Sequence, residues 1–275
     1  GMTGVAAHLC GDRVAVQSLG YKVDADGKVF RPEIESDKTV WTAFSRLGAR
    51  RAVLNDLSPA AVFIAHNNNT PATSHSLGVE AQKILESVEG ECGWMYETKH
   101  TDGRVGRIIY TVWSDVYVCP ECTGEVVFWH AAVDRAAGSV KEEFSCPLCA
   151  AMLTKRNVER AWTTKYDFDS NKSARQPKRV PVLINYTVAG RRAEKSPDAA
   201  DLSLLDKIEA TPTPYWIPTD DVIDGKEIGR LRSLEVNQIN QILPKRANWV
   251  LGAFYSRCKN PKLKLAITAT LLNLS

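Results

Sequence analysis

Two cysteine pairs with the same internal spacing are the residues of this sequence best suited to do chemistry. Each pair has the form Cys-Pro-x-Cys, and 23 residues separate the first pair from the second. Because one tight turn can present two thiolates, two such turns can surround a single tetrahedral zinc ion. The predicted zinc ligands are Cys119, Cys122, Cys146 and Cys149. A zinc ion with four protein ligands is closed to substrate, so such a site stabilises a fold and does not itself catalyse.

The segments beside the cysteine pairs are rich in β-forming residues. Residues 124–129 and 139–144 predict two β-arms, and with the pairs they predict a zinc ribbon over residues 105–168. In a unit with little core of its own, metal binding worth roughly 10 to 16 kcal/mol can supply the folding free energy. Disulfides or a redox pair are alternatives, but neither accounts for two matching turns on β-arms. A zinc deaminase is disfavoured because the sequence contains no His-x-Glu.

The residue after each cysteine pair departs from the usual pattern. Glycine is common there because the backbone turns back toward the sulfur, but this sequence has Thr123 and Ala150. An alanine in a left-handed conformation costs on the order of 1 kcal/mol. That cost is too small to offset metal binding.

Composition indicates a globular protein of a reducing compartment. The 275 residues, of which 44% are hydrophobic, can bury the core of one large domain or of two smaller ones. Cys10, Cys92 and Cys258 occur singly, as is usual for cytoplasmic proteins. We find neither a signal-peptide pattern nor a run of about 20 apolar residues that could span a bilayer. We therefore expect a cytoplasmic location and no membrane contact.

Positive charge is concentrated between residues 170 and 195. This stretch has seven basic residues against the single acidic Glu194, although the net charge of the whole chain is only +3. A basic face of this kind suits contact with the phosphates of DNA, while a solvated basic loop is the alternative. The predicted nucleic-acid contacts are Lys178, Arg179, Arg191 and Arg192.

The first 70 residues alternate between helical and extended patterns. A glycine-bracketed turn opens into a helix, a hairpin follows over residues 20–40, and helical periodicity predicts a helix from Trp41 to Leu47. The glycine at position 1 could equally be a remnant of expression ahead of an initiator methionine. This alternation predicts a partial Rossmann-like unit over residues 1–70.

A second strand-turn-helix pattern centres on Asp56. A short apolar strand over residues 51–54 precedes Asp56, and Ser58 as N-cap with Pro59 at the first helical position begins a helix. In a doubly wound sheet, an acidic residue at such a position can bind both hydroxyls of a ribose. Asp56 could instead serve only the turn or the helix cap.

The rest of the chain predicts a helical connector over residues 71–104 and a basic α/β accessory region over residues 169–275 that ends in two helices. The predicted elements are a helix over 77–89, strands over 107–113, 116–118 and 180–188, a helix over 198–210, a proline-rich connector over 211–218, a helix from Pro244 and a helix over 263–274.

The order of these pieces resembles the zinc-ribbon-containing adenine-specific DNA methylases of prokaryotes, which are S-adenosylmethionine-dependent amino-methyltransferases. The resemblance rests on the glycine-turn helix, the inserted hairpin, Leu-Gly-x-Arg-Arg, Asn-Asp-Leu-Ser-Pro and the Cys-Pro-x-Cys ribbon. It matches Gly1-Met2-Thr3-Gly4 to the second half of the family's Phe-x-Gly-x-Gly-Met-Thr-Gly cofactor loop. It implies that these four residues bind S-adenosylmethionine, that Asp56 binds its ribose and that Leu57 flanks its adenine.

One departure from that family is large. Amino-methyltransferases use an Asp/Asn/Ser-Pro-Pro-Tyr/Phe motif on a flipped base, and these 275 residues contain no Pro-Pro. The resemblance therefore implies an α+β fold, partly α/β. It would be a fragment of a doubly wound methyltransferase sheet with an inserted zinc-ribbon β domain and a helical C-terminal part.

The implied function is part of a DNA amino-methyltransferase of a restriction-modification system, with adenine N6 favoured over cytosine N4. This chain alone is predicted to be inactive. The alternatives are a non-enzymatic zinc-ribbon module that binds nucleic acid or protein, and a purely structural ribbon.

Overall fold

The chain divides into two compact units. The computed structural model describes residues 2–35, 37–70, 73–225 and 228–270, without the side chains of residues 2, 3 and 270. The first unit comprises Gly1–Ala81 with Cys258–Ala269, and the second comprises Gln82–Arg257 with Thr270–Ser275. The domain boundaries predicted near residues 70, 104 and 168 stay a prediction.

The first unit combines helices with a small antiparallel sheet. Its elements are α1 (Met2–Leu9), α2 (Arg13–Ser18), β1 (Lys22–Val23), β2 (Lys28–Glu35), β3 (Lys38–Arg46), α3 (Pro59–Asn69), the first part of α4 (Ser74–Cys92) and, near the C-terminus, α9 (Pro261–Thr270). The three strands lie in the order β1-β2-β3. The hairpin predicted over residues 20–40 is confirmed, and its turn is closed by Asp24 Oδ1, which accepts a hydrogen bond from the Lys28 N–H at 2.8 Å.

The helix predicted from Trp41 to Leu47 is wrong, because these residues form most of strand β3. Trp41 and Val40 pair with Pro32 and Glu33 of β2. Three β-branched residues and a tryptophan follow one another from residue 39 to 42, and such side chains fit a pleated sheet better than a helix.

The strand predicted over residues 51–54 is also wrong. Residues 47–57 have no regular structure, and Val53 is 97% exposed. An isolated extended segment has no partner for its backbone groups, so it cannot form a strand by itself. The helix that follows is confirmed: α3 has Ser58 as N-cap and Pro59 at its first position.

Strand β5 (Val105–Val118) organises the second unit. The unit's other strands are β4 (Glu97–Lys99), β6 (Glu125–Val127), β7 (Val133–Asp134), β8 (Ser139–Val140), β9 (Glu143–Ser145), β10 (Met152–Thr154), β11 (Glu159–Arg160), β12 (Trp162–Asp167), β13 (Lys172–Pro177), β14 (Arg179–Val188) and β15 (Arg191–Lys195). The largest sheet has the order β11-β5-β14-β15, and β4 and β6 also pair with β5. The two strands predicted over residues 107–113 and 116–118 are thus one continuous strand, and the predicted strand over 180–188 is confirmed as β14.

The core of this sheet lies beneath β5 and β14. Ile108, Ile184, Tyr186 and Val188 are buried together. Gly106 permits this packing, because a Cβ at its position would lie 2.5 Å from the Tyr186 ring.

The helices of the second unit are mostly where the sequence predicts them. They are the remainder of α4, a 3₁₀ turn (Gly93–Tyr96), α5 (Phe128–Ala132), α6 (Ala199–Ala210), α7 (Gly229–Arg232), a 3₁₀ turn (Ile239–Gln241) and α8 (Lys245–Arg257). Helix α6 is capped by Asp198, whose side chain accepts from the N–H groups of Ala200 and Asp201.

The buried residues within α8 are Trp249, Gly252 and Ala253. Gly252 lies against the proline-rich connector, since a Cβ there would be 2.9 Å from Tyr215 Cβ. Arg246 donates to the Met95 carbonyl at 3.0 Å, and burial lowers its pKa.

The fold is mixed α and β, which confirms the α+β class. Every strand pair among the described residues is antiparallel. The doubly wound methyltransferase sheet therefore stays a prediction.

Candidate metal centre

Each cysteine pair lies in the turn between two antiparallel strands. Cys119 follows β5 directly, and the first turn leads into β6, where Glu125 pairs with Val118. The second turn joins β9 to β10, whose residues Ser145 and Met152 pair with each other. The ribbon predicted over residues 105–168 thus consists of hairpins whose turns carry the cysteines.

The two turns have the same backbone hydrogen bonds. In the first, the Thr123 N–H donates to the Cys119 carbonyl at 2.9 Å, and the Cys119 N–H donates to the Gly124 carbonyl at 2.9 Å. In the second, the Ala150 N–H donates to the Cys146 carbonyl at 3.0 Å, and the Cys146 N–H donates to the Ala151 carbonyl at 2.9 Å. Two equivalent turns therefore present their sulfur atoms in equivalent ways.

The four cysteine sulfur atoms converge. All four lie within 4.8 Å of one another. The sulfur atoms are 3.7 Å apart between Cys119 and Cys149, and also between Cys122 and Cys146. Tetrahedral zinc with Zn–S bonds of about 2.3 Å requires a separation of about 3.8 Å, whereas a disulfide requires about 2.05 Å. The geometry therefore suits a metal ion and not a pair of disulfides.

Backbone groups support negative charge at the site. The Leu148 N–H points to Cys146 Sγ at 3.5 Å, and this contact is the largest of those that lower the pKa of Cys146 to about 7. A thiolate is the form of cysteine that binds a metal ion. In the second turn this applies to Cys146. The Ala151 N–H lowers the pKa of Cys149, but burial and the three neighbouring cysteine side chains raise it to about 12.

The two turns contact each other at Gly124. A Cβ at this position would lie 2.2 Å from Leu148 Cδ1 in the other turn. A larger residue would therefore displace the exposed Leu148 side chain.

The residue after each pair has a left-handed backbone. Thr123 has φ 57° and Ala150 has φ 59°. This confirms the conformation expected for Ala150, where a side chain costs about 1 kcal/mol.

The ribbon has a larger core than the sequence indicated. Tyr117, Val126, Phe144 and Leu153 are buried with Cys119 and Cys146 in one cluster. The ring of Phe128 contacts this cluster edge-on, with centroids 5.7 Å from Tyr117 and 5.5 Å from Phe144. The metal site therefore adds to an existing core.

The predicted β-arms are shorter than expected. Only Glu125–Val127 of the first arm is a strand, and the chain then turns into α5. The second arm is divided between β8 and β9, with β8 paired to β7. The side chains of α5 thus lie beside the ribbon core and not along a continuous hairpin.

The four predicted nucleic-acid contacts fall into two kinds. Lys178 Nζ lies 2.7 Å from both carboxylate oxygens of Glu125, and Arg179 Nε lies 3.0 Å from Asp115 Oδ1. Arg191 and Arg192 are exposed at the start of β15, and no ion pair within the described ranges includes them. Neighbouring carboxylates thus neutralise part of the predicted basic face.

The predicted cofactor residues belong to the first unit. Gly1 lies outside the described residues, and Met2 and Thr3 begin α1 with side chains that are not described. Gly4 is buried in α1, where a Cβ would lie 2.0 Å from Asn69 Oδ1. Its lack of a side chain therefore serves packing between helices.

Asp56 and Leu57 lie just before α3. Asp56 Oδ1 accepts from the Ser58 N–H at 2.9 Å, as expected for a turn aspartate, and the Leu57 side chain is fully exposed. Hydrogen bonds from the N–H groups of Gly48 and Arg50 to the carbonyls of Cys10 and Ala7 hold the preceding segment along α1.

Sequence reasoning missed an aromatic cleft beside the ribbon. Trp113, Phe128 and Trp129 line it together with Lys155 and Arg179. The only sequence signal for this cleft is that tryptophans and cationic residues occur in the same β-rich region. The sequence does not show that these side chains converge, because their convergence depends on the contact between α5 and β5.

Comparison with known proteins gives no relative: the chain matches no protein-family model, no curated protein and no solved structure. None of the helices in the described residues combines the length and hydropathy needed to cross a bilayer. Function must therefore be inferred from the residues themselves.

We predict that Ala150→Gly stabilises the zinc-loaded protein by about 0.5 to 1 kcal/mol, because glycine adopts the left-handed backbone without a steric cost. Chemical denaturation in the presence of zinc measures this change. Ala136→Gly is the matched control, since Ala136 is exposed and is not among the residues with positive φ. A loss of stability in Ala150→Gly would contradict the assignment of strain to this turn.

Proposed function

We propose that the four cysteines bind one zinc ion as a closed structural site. The convergence of four sulfur atoms from two equivalent turns carries this proposal. Four thiolates complete a tetrahedral coordination shell and leave no position for substrate. The zinc ion would clamp the β5-β6 hairpin to the β9-β10 hairpin.

We further propose that the chain is part of an S-adenosylmethionine-dependent DNA amino-methyltransferase, with adenine N6 favoured over cytosine N4. The order of its motifs supports this proposal, as does the position of Asp56 between a segment held along α1 and the N-capped helix α3. The enzyme would belong to the cytoplasm of a prokaryote and to restriction-modification.

The residues near Asp56 offer some of the contacts that S-adenosylmethionine needs. Asp56 has one carboxylate oxygen fixed by the Ser58 N–H, and the exposed Leu57 beside it offers an apolar surface. In this proposal Asp56 binds the ribose hydroxyls and Leu57 contacts the adenine, while Gly4 allows α1 to approach α3. When bound, S-adenosylmethionine supplies the methyl group for the exocyclic nitrogen of a base.

Contact with DNA is proposed for Arg191 and Arg192. Both directly follow the turn that contains Ala189 and Gly190, which have positive φ, and both are exposed on β15 at the edge of the sheet. Arginine donors bind phosphate oxygens well, and each neutralised phosphate releases counterions.

A non-enzymatic zinc-ribbon module is the second candidate. The specific observation in its favour is that the described strands pair only antiparallel, unlike those of a doubly wound cofactor domain. Such a module would bind DNA or a protein without binding S-adenosylmethionine.

We expect the purified chain to contain one zinc ion, measured by mass spectrometry of the metal. Cys119→Ser with Cys146→Ser removes two ligands and should abolish zinc binding, while Cys10→Ser, outside the cluster, should retain it. If that variant does not fold, mercurial titration of the unmodified chain should release one zinc ion. Failure to release zinc on modification of all thiols would contradict the site.

We expect Asp56→Asn to weaken binding of radiolabelled S-adenosylmethionine by about tenfold, because a lost hydrogen bond to a charged group costs about 1.5 kcal/mol or more. Asparagine can still accept from the Ser58 N–H, so the turn is preserved. Asp26→Asn, in the β1-β2 turn, is the control. Transfer of the labelled methyl group to DNA by this chain alone would refute the argument from the missing Pro-Pro motif.

We expect Arg191→Ala with Arg192→Ala to weaken retention of duplex DNA at low salt and to reduce the salt slope of binding by about 2. Lys178→Ala should have a smaller effect, since Glu125 already neutralises Lys178. Filter binding over a series of salt concentrations measures both. Equal effects of the two variants would count against a specific role for the β15 turn.

A further inference from the structure

A cleft of about 300 Å³ opens between β5 and α5, beside the zinc ribbon. Its walls combine aromatic rings with cationic side chains. A volume of this size lies at the small end of ligand pockets, so it suits a single flat group better than an extended ligand.

The two tryptophans of the cleft differ: Trp113 presents exposed ring surface, whereas the Arg135 guanidinium lies over the Trp129 ring, 6.0 Å from its centroid. Trp113 is 40% exposed. Neither Trp113 nor Trp129 stacks on another aromatic ring in the described part of the chain. Exposed tryptophan surface is unfavourable in water, and a flat π-system would remove it from solvent.

The cleft is held in shape by polar contacts. Ser114 is buried, and its Oγ accepts a hydrogen bond from the backbone N–H of Trp129 at 2.9 Å. This bond fixes the start of α5 against β5. Phe128 joins the wall of the cleft to the ribbon core through its contacts with Tyr117 and Phe144. These contacts hold the start of α5 against β5 and Phe128 against the ribbon core.

Cations surround the aromatic surface. Lys155 Nζ lies 4.5 Å from the Phe128 ring centroid. Asp115 holds Arg179 by its Nε at 3.0 Å, and Arg160 lies 3.6 Å from the other oxygen of Asp115. Lys155 and Arg179 against Asp115 give the lining of the cleft a net charge of +1, which attracts phosphate.

We propose that this cleft binds an unstacked base of single-stranded nucleic acid, with the base on Trp113 and Trp129 and the adjoining phosphate near Lys155 and Arg179. Aromatic platforms beside cations are the usual means of holding single strands, because every base has a π-face and every nucleotide a phosphate. This inference deepens the proposed DNA contact by naming the part of the nucleic acid that the ribbon region binds.

Fluorescence anisotropy of labelled dT12 and U12 with the full zinc-loaded chain tests the proposal. Trp113→Ala should weaken binding about tenfold, and Trp113→Phe should retain most of the affinity. Trp216→Ala is the matched control, since Trp216 is 69% exposed and does not line the cleft. Zinc content and denaturation midpoint establish that each variant is folded.

Further measurements distinguish the possible outcomes. Lys155→Gln should reduce the slope of log affinity against log salt concentration by about 1. Tighter binding of dT12 or of U12 identifies the source of the base, and either result supports the cleft.

Unchanged affinity of Trp113→Ala, or an equal loss in Trp216→Ala, overturns the proposal. If Arg191 and Arg192 are needed for duplex retention while Trp113 is not needed for dT12, the cleft fails and the proposed DNA contact stands. If neither DNA is bound, both fail.

Discussion

The close approach of four cysteine sulfur atoms is the constraint on which the second unit depends. As thiolates, sulfur atoms 3.7 Å apart would repel one another strongly in a site partly removed from water. A divalent cation between them would replace this repulsion with four bonds and would couple folding to metal binding. Because Cys119 directly follows β5, the cluster also fixes one end of the strand that organises the largest sheet.

Strand β5 transmits this constraint to the rest of the second unit. It pairs with β4, β6, β11 and β14, so its register decides the position of each. A slip of one residue would reverse the faces of all its side chains, exposing Ile108 and Val116. The two irregularities in its pairing with β14, at Pro181/Leu183 and at Asn185/Tyr186, keep Tyr186 over Gly106 while Arg179 remains opposite Asp115.

The parts of the structure that depend on local contacts could be predicted from the sequence. The cysteine turns, the cap at Ser58 and the buried strand β14 are examples, since residues close in the chain determine each of them. The errors at residues 41–47 and 51–54 arise because a strand depends on its neighbour: β3 forms beside β2, and the second segment has no neighbour among the described residues. The positive charge of the predicted basic face was overestimated because its neutralising partner is distant in the sequence. Glu125, which neutralises Lys178, lies 53 residues from it.

The two units differ in what holds them together. Among the described residues, Val29 and Cys258 are the buried apolar side chains of the first unit, whereas the second unit contains both apolar clusters around β5. The first unit relies on local polar contacts such as the Asp12 cap of α2 and the Asp24 turn. Contacts of this kind contribute about 1 kcal/mol each and specify conformation more than they stabilise it. In the second unit, by contrast, the cysteine cluster, both apolar clusters and the largest sheet share strand β5.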